Sequence, residues 1–175
     1  MKINLISIVI PVFNAEETIE PLVNNIIDEL SEEYSLEIIL VNDHSTDATL
    51  ELLQQSTMDN LKIVNMPDGE VGKKNAIKKA VVLAEGEIIL ATDADCSFPS
   101  TWVQTMVSYF ADSSIKLVSG PVVFHKHKGI LQNLQTLEFA SLIGSGAGAM
   151  FAAIRGNASS AAAAAPASEP AAAAG

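Results

Sequence analysis

Two aspartates separated by one residue are the sharpest chemical feature of the sequence. Asp93 and Asp95 lie in the segment Thr92-Asp93-Ala94-Asp95. In an extended segment, side chains two residues apart point to the same side, so both carboxylates would converge on one cation. Mg²⁺ and Mn²⁺ prefer such oxygen ligands and commonly join protein carboxylates to substrate phosphates. Because aspartates are also common in exposed turns, the position and the neighbours of the pair must decide between a metal site and a turn.

A third aspartate lies in the polar loop 42–47. Asp43 follows a predicted strand and is placed to accept hydrogen bonds from a base or a ribose. The loop also contains Ser45, Thr46 and Asp47, which are residue types that begin helices. We therefore expect two roles in this loop, with Asp43 contacting a ligand and Ser45 to Asp47 starting the next helix.

Two lysines mark the start of a later predicted helix, in Gly72-Lys73-Lys74-Asn75. A lysine at a helix N-terminus opposes the helix dipole, which is a small cost unless an anion binds nearby. A phosphate at this end would explain both side chains. Spacing alone leaves open whether Lys73 or Lys74 contacts a phosphate.

Strand and helix patterns alternate along the chain and position these residues. β-branched runs alternate with apolar residues at helical spacing, which predicts an α/β doubly wound domain with a mostly parallel sheet covered on both faces. Asn14 followed by Glu17 resembles a capping box at the first helix. Ligands of such sheets bind beyond the carboxyl ends of the strands, where the polar residues lie. The predicted strands are 6–12, 37–41, 61–64, 88–91 and 115–118, and the predicted helices are 19–30, one around 50–53, 72–84 (with Ala76, Ile77, Ala80 and Val81 inward) and 100–110.

Composition excludes several classes of protein. The 175 residues include 21 acidic and 10 basic side chains, for a net charge of −11. This charge argues against a general nucleic-acid binder, and an anionic substrate would need a metal ion or local lysines. Cys96 is the single cysteine, which excludes an intrachain disulfide, fits a reducing compartment and predicts a small buried residue. The sequence contains neither a secretory signal nor an apolar run of about 20 residues.

Two composition regimes meet near residue 145. Residues 1–145 have mixed composition and are predicted to form the ligand-binding domain. Residues 146–175 form a low-complexity tail of Ala, Gly, Ser and Pro, which offers little apolar surface for packing. We expect a disordered or linker-like tail, with a short frayed helix as the alternative.

Four motifs in order resemble the inverting family 2 glycosyltransferases, which have the Rossmann-like GT-A fold of the nucleotide-diphospho-sugar transferases. Residues 8–14 with Glu17 resemble the opening IPxYN…E segment, and residues 41–47 resemble the VDDxSxD loop. Residues 72–76 resemble the GKxxA segment, and residues 92–95 resemble the D-x-D strand end. The resemblance covers roughly residues 6 to 124.

The resemblance implies a site and a reaction. An acceptor hydroxyl would attack the anomeric carbon of a nucleotide-diphosphate sugar, with a UDP-sugar as the expected donor and Mg²⁺ or Mn²⁺ assisting departure of the nucleoside diphosphate. The implied partners are the donor and a glycan or lipid-linked acceptor, and no nucleic acid. By the resemblance, nucleotide-sugar binding falls to Pro11, Phe13, Asn14, Glu17, Asp43, Lys73 and Asp93, and metal binding to Asp93 and Asp95.

The sequence also departs from the family pattern. Asn42 replaces the first acidic residue of its loop, and His44 replaces a residue that is often glycine. No residue is identified as the general base, because the second half expected of the family is not recognisable. The resemblance therefore implies the donor-binding part of a hexosyltransferase of cell-envelope polysaccharide synthesis in the cytoplasm, and it leaves open membrane association of a full-length parent. The alternatives are an inactive nucleotide-binding fragment and, less well supported, a sugar nucleotidyltransferase, whose glycine- and arginine-rich loop is absent.

Overall fold

The structure is a computed structural model that describes residues 3–28, 34–56, 58–120, 122, 134, 136–146 and 161–164. The chain divides into two compact units, residues 2–97 and 98–175. The first unit contains all the site residues named above. Its elements are β1 (Leu5–Val12), α1 (Ile19–Asp28), β2 (Ser35–Asn42), α2 (Thr49–Gln54), β3 (Leu61–Asn65), α3 (Lys73–Leu83) and β4 (Ile88–Ala91).

The four strands of the first unit form one parallel sheet in the order β3-β2-β1-β4. The chain begins in the middle of the sheet, moves outward to β3 and then crosses to β4 on the other side of β1. This is the doubly wound arrangement, and it confirms the predicted α/β fold class. All four carboxyl ends lie on one edge, so the loops after β1, β2 and β4 meet there.

Both faces of the central strands are buried. Residues Ile8, Val9 and Ile10 of β1 have no exposed surface, and neither has Ile39 of β2. Such continuous β-branched runs are typical of parallel strands covered on two sides. Helix α3 packs on β1 and β2 through small side chains, which let the helix approach closely. This part of the core contains Val9, Ile39, Val41, Met66, Ala76 and Ala80.

Two details of the predicted core are wrong. Ile89 of β4 is 40% exposed, so one face of this strand is not covered by the described residues. Val81 is also exposed, although Ala76 and Ala80 of the same helix are buried. Successive helix positions are rotated by about 100°, so Val81 lies outside the buried stripe of α3, in which Ala76 and Ala80 are the buried residues.

The carboxylate of Glu37 is buried at the amino end of the sheet, opposite the carboxyl end where the site loops meet. Glu37 is 6% exposed and accepts hydrogen bonds from the hydroxyl of Ser7, from the Glu85 N–H at 2.5 Å and from Lys62 Nζ at 2.8 Å. Burial alone would raise the pKa of Glu37, but the hydrogen bonds from Lys62, Ser7 and the Glu85 backbone lower it to about 2. The cluster therefore holds an ionised carboxylate inside the fold.

Gly86 closes over this cluster, and an alanine there should destabilise the first unit. The Gly86 N–H donates to Ser7 Oγ at 2.8 Å, and an added Cβ would lie 2.6 Å from both the Ser7 backbone nitrogen and Oγ. We expect Gly86→Ala to lower the free energy of unfolding by about 2–3 kcal/mol, measured by urea denaturation. Gly144→Ala is the matched control, because a Cβ at Gly144 meets nothing within 4 Å. A loss below about 0.5 kcal/mol for Gly86→Ala would contradict this close packing.

The second unit contains α4 (Trp102–Ser108), a 3₁₀ turn at Tyr109–Ala111, β5 (Ile115–Ser119) and β6 (Ala161–Ala164). Residues 136–146 are also helical. Strand β6 pairs in parallel with β5, so the prediction of a linker or a frayed helix is wrong for these four alanines. Backbone pairing along β5 outweighs the helix preference of alanine there. The rest of the tail lies outside the described residues.

No helix among the described residues has both the length and the apolar character needed to cross a lipid bilayer.

Candidate functional site

The loops after β1 and β2 are joined by hydrogen bonds at the carboxyl edge of the sheet. The Asn14 N–H donates to Ser45 Oγ at 3.0 Å, and the Thr46 N–H donates to Asn14 Oδ1 at 2.8 Å. Asn14 adopts a positive φ of 46°, a conformation that asparagine tolerates better than most residues. The predicted capping box is therefore wrong, because the Asn14 side chain joins the second loop instead of capping α1.

Asp47 fixes the start of α2, as the sequence predicts. Its Oδ1 accepts hydrogen bonds from the hydroxyl and the N–H of Thr49, and its Oδ2 accepts from the Glu16 N–H at 3.2 Å. Desolvation would raise the pKa of Asp47, but these hydrogen bonds lower it overall. Ser45 and Thr46 contact the first loop and do not cap the helix.

Asp43 anchors the beginning of α3 across the site. Its backbone N–H continues the sheet by donating to the Val12 carbonyl at 2.8 Å, and its side chain is 13% exposed. Oδ2 accepts from the Gly72 N–H at 2.7 Å, and Oδ1 lies 3.2 Å from His44 Nδ1. Gly72 has a φ of 96°, a conformation that glycine adopts more readily than other residues. The loop after β2 and the start of α3 are thus held together by one carboxylate.

The Asp-x-Asp pair forms a compact acidic cluster with the cysteine that follows it. Ligand atoms of Asp93, Asp95 and Cys96 all lie within 4.8 Å of one another. The segment is a turn, with the Cys96 N–H donating to the Asp93 carbonyl at 3.3 Å, and not the extended stretch that the sequence suggested. Two carboxylates this close fit a hard divalent cation. Cys96 is partly exposed, so the prediction of a buried residue is wrong, and its place in the cluster was missed.

Lys73, and not Lys74, reaches the acidic cluster. Lys73 Nζ lies 2.6 Å from each carboxylate oxygen of Asp93. The chain separates the two residues by 20 positions, and the meeting of α3 with the carboxyl end of β4 brings them together. Lys74 is exposed and does not line the cleft described next.

A cleft of about 670 Å³ opens between these loops, and every residue that the family resemblance assigned to the site lies along it. Phe13 lines this cleft and is 62% exposed. Glu16 and Asp47 also line the cleft and were not predicted as site residues; their hydrogen bonds join the two loops. The named residues along the cleft are Pro11, Phe13, Asn14, Glu17, Asp43, Lys73, Asp93 and Asp95.

The chain is similar to known glycosyltransferases in sequence and in fold. It is 31% identical to a poly-β-1,6-N-acetyl-D-glucosamine synthase of Staphylococcus aureus over 140 residues, which are 79% of the chain and 34% of the synthase. A mannosyltransferase from Pyrobaculum calidifontis, solved with GDP-Man and Mn²⁺, superposes with a TM-score of 0.60 and 27% identity over 69% of the chain and 36% of its own. The glucosyl-3-phosphoglycerate synthase of Mycobacterium tuberculosis was solved with Mn²⁺, UDP and glucosyl-3-phosphoglycerate. It superposes with a TM-score of 0.55 and 25% identity, over 67% of this chain and 44% of the synthase.

The chain spans about a third of the length of the curated synthase that it matches. The family model described as glycosyl transferase family 2 matches residues 7–155, which contain the whole cleft and the four motifs that form it. The sheet order and the solved relatives agree with the GT-A fold. On these grounds the chain belongs to glycosyl transferase family 2.

Proposed function

We propose that the cleft binds a nucleotide-diphosphate sugar, with a UDP-sugar as the expected donor, and that the chain is the donor-binding part of a glycosyltransferase. One observation carries the proposal. One cleft contains two kinds of polar group. Asp43 offers a carboxylate suited to a nucleobase, and Lys73 with Asp93 and Asp95 is suited to a metal-bound diphosphate. The volume of the cleft is in the range of about 300–1,000 Å³ that small-molecule sites occupy.

Each residue is assigned the role that its chemistry allows. Asp43 accepts a hydrogen bond from the base, and the exposed ring of Phe13 covers an apolar side of the nucleoside beside Pro11. Asn14 and Glu17 also line the cleft. Lys73 contributes a positive charge for the diphosphate. Asp93 faces the diphosphate and, with Asp95, would hold Mg²⁺ or Mn²⁺.

The bound cation would stabilise negative charge on the leaving nucleoside diphosphate. The two solved relatives with Mn²⁺ and a guanosine or uridine nucleotide support this choice of ligands. It also explains how a chain with a net charge of −11 could hold an anionic donor. The carboxylates do not repel the diphosphate when a cation lies between them.

The reaction we propose is transfer of the sugar to an acceptor hydroxyl, with a glycan or a lipid-linked acceptor. The relation to a poly-β-1,6-N-acetyl-D-glucosamine synthase favours a glycan acceptor. The role that we assign is in cell-envelope polysaccharide synthesis, on the cytoplasmic side. We assign donor binding to residues 1–145 and leave the alanine-rich segment 146–175 outside the site. The alternative, a fragment that binds nucleotide without transferring sugar, predicts the same binding and no turnover.

Calorimetric titration of UDP in the presence of Mn²⁺ tests the assignment of the base site. We expect Asp43→Asn to weaken binding about 10- to 100-fold, because a charged acceptor is replaced by a neutral one. Asp59→Asn is the matched control, since Asp59 is exposed just before β3, at the amino end of the sheet. Equal affinity of wild type and Asp43→Asn would refute the role of Asp43. A donor-hydrolysis assay on the same samples separates an active enzyme from a binding fragment.

A further inference from the structure

Lys73 occupies the carboxylate that the proposed metal site needs. Its Nζ lies 2.6 Å from both Asp93 oxygens, so a cation that binds Asp93 must take at least one oxygen from the lysine. The neighbouring Asp95 is exposed and belongs to the same cluster. In this arrangement the lysine ammonium is the counter-ion of Asp93.

The lysine side chain can leave without moving its backbone. The Gly72 N–H, one residue before Lys73, is held by Asp43 Oδ2 at 2.7 Å, and Ala76 anchors the next turn of α3 in the core. The Lys73 side chain itself is 60% exposed and that of Asp93 is 43% exposed. An ion pair this exposed is worth at most about 1 kcal/mol, so an incoming diphosphate can compete for the ammonium.

We propose that Lys73 is an exchangeable counter-ion that couples metal binding to nucleotide binding. It neutralises Asp93 in the free protein and moves to the nucleotide diphosphate when the donor enters, which frees the Asp93 oxygens for the cation. The free protein then binds a divalent cation weakly, and nucleotide and cation bind cooperatively. This inference rests on the proposed function, since it assumes that a diphosphate enters the cleft.

The direct test is a titration with Mn²⁺ in the absence of nucleotide. Binding is monitored through the electron paramagnetic resonance signal of free Mn²⁺. Lys73→Met should bind Mn²⁺ about two- to fivefold more tightly than wild type, because the competing ammonium is gone. Lys74→Met is the matched control, since it removes the same charge from the adjacent, exposed position and should bind Mn²⁺ as wild type does. Lys73→Arg keeps a cation at Asp93 and should retain weak binding.

The second measurement repeats the Mn²⁺ titration with saturating UDP. The nucleotide should tighten Mn²⁺ binding more in wild type than in Lys73→Met, because only wild type has a lysine to remove. The inference is overturned if Lys73→Met leaves Mn²⁺ affinity unchanged or undetectable, or if Lys74→Met raises it equally. Absence of UDP binding to wild type in Mn²⁺ would instead refute the proposed function, so the two failures are distinguishable.

Discussion

The substitution Asp95→Asn is expected to abolish the effect of Mn²⁺ on UDP binding. Asp95 is exposed in the acidic cluster, whereas Asp93 also pairs with Lys73, so Asp95→Asn removes a ligand with less disturbance of other contacts. Loss of a charged oxygen ligand should weaken UDP binding in Mn²⁺ by about 10- to 100-fold or more. Loss of a residue that only hydrogen-bonds to a metal ligand already lowers metal affinity by about 10- to 100-fold. Titration calorimetry with UDP, in Mn²⁺ and in EDTA, measures the effect.

The control for this prediction is again Asp59→Asn, which makes the same chemical change at the opposite end of the sheet. It should bind UDP as wild type does in both buffers. Thermal unfolding of both variants checks that the fold is retained. Undiminished Mn²⁺ dependence in Asp95→Asn would show that the cation is not held by the Asp-x-Asp pair.

The second large effect concerns stability and its dependence on pH. The pKa of Glu37 is lowered from an ordinary 4.5 to about 2, so the folded state favours the ionised carboxylate. A lowered pKa contributes stability that is fully present above about pH 4.5 and is lost as the pH falls toward 2. Glu37→Gln should therefore destabilise the protein by roughly 2–4 kcal/mol at pH 7, because Lys62 and the buried N–H groups lose their charged acceptor.

Urea denaturation at several pH values measures this effect. The stability curves of wild type and Glu37→Gln should approach each other as the pH falls below about 4.5 and should meet only near pH 2. Glu85→Gln is the matched control: Glu85 also pairs with Lys62, at 2.7 Å, but its side chain is 72% exposed. That variant should lose less than about 1 kcal/mol. A constant difference between wild type and Glu37→Gln from pH 7 to pH 2.5 would contradict the assignment of the pH dependence to this carboxylate.

The parts of the fold that depend on local pattern were predictable from the sequence. The runs in β1 and β2 are β-branched and continuous, which indicates strands buried on both faces, and the structure places their ends within a residue or two of the predicted ones. The candidate site followed from the same pattern. Polar residues that directly follow strands one, two and four lie at the same edge of a parallel sheet, because the carboxyl ends of the strands are all at that edge.

Contacts between distant segments were not predictable in this way. The spacing of Lys73 and Lys74 could not choose between them, because the choice depends on which side chain faces Asp93 across the site. Asn14 carries a helix-capping signal, yet the neighbouring loop competes for its side chain. Glu37 left one signal, a single charge within an apolar strand, but its partners Ser7 and Lys62 come from other strands.

Titration of wild-type protein with UDP, once with Mn²⁺ and once with EDTA, is the most direct test of the donor site. We expect saturable binding of one UDP per chain in Mn²⁺ and binding at least about tenfold weaker in EDTA, because the acidic cluster repels the diphosphate without a cation. Absence of UDP binding in both buffers, by a protein that is folded, would show that this cleft does not hold a nucleotide-diphosphate sugar.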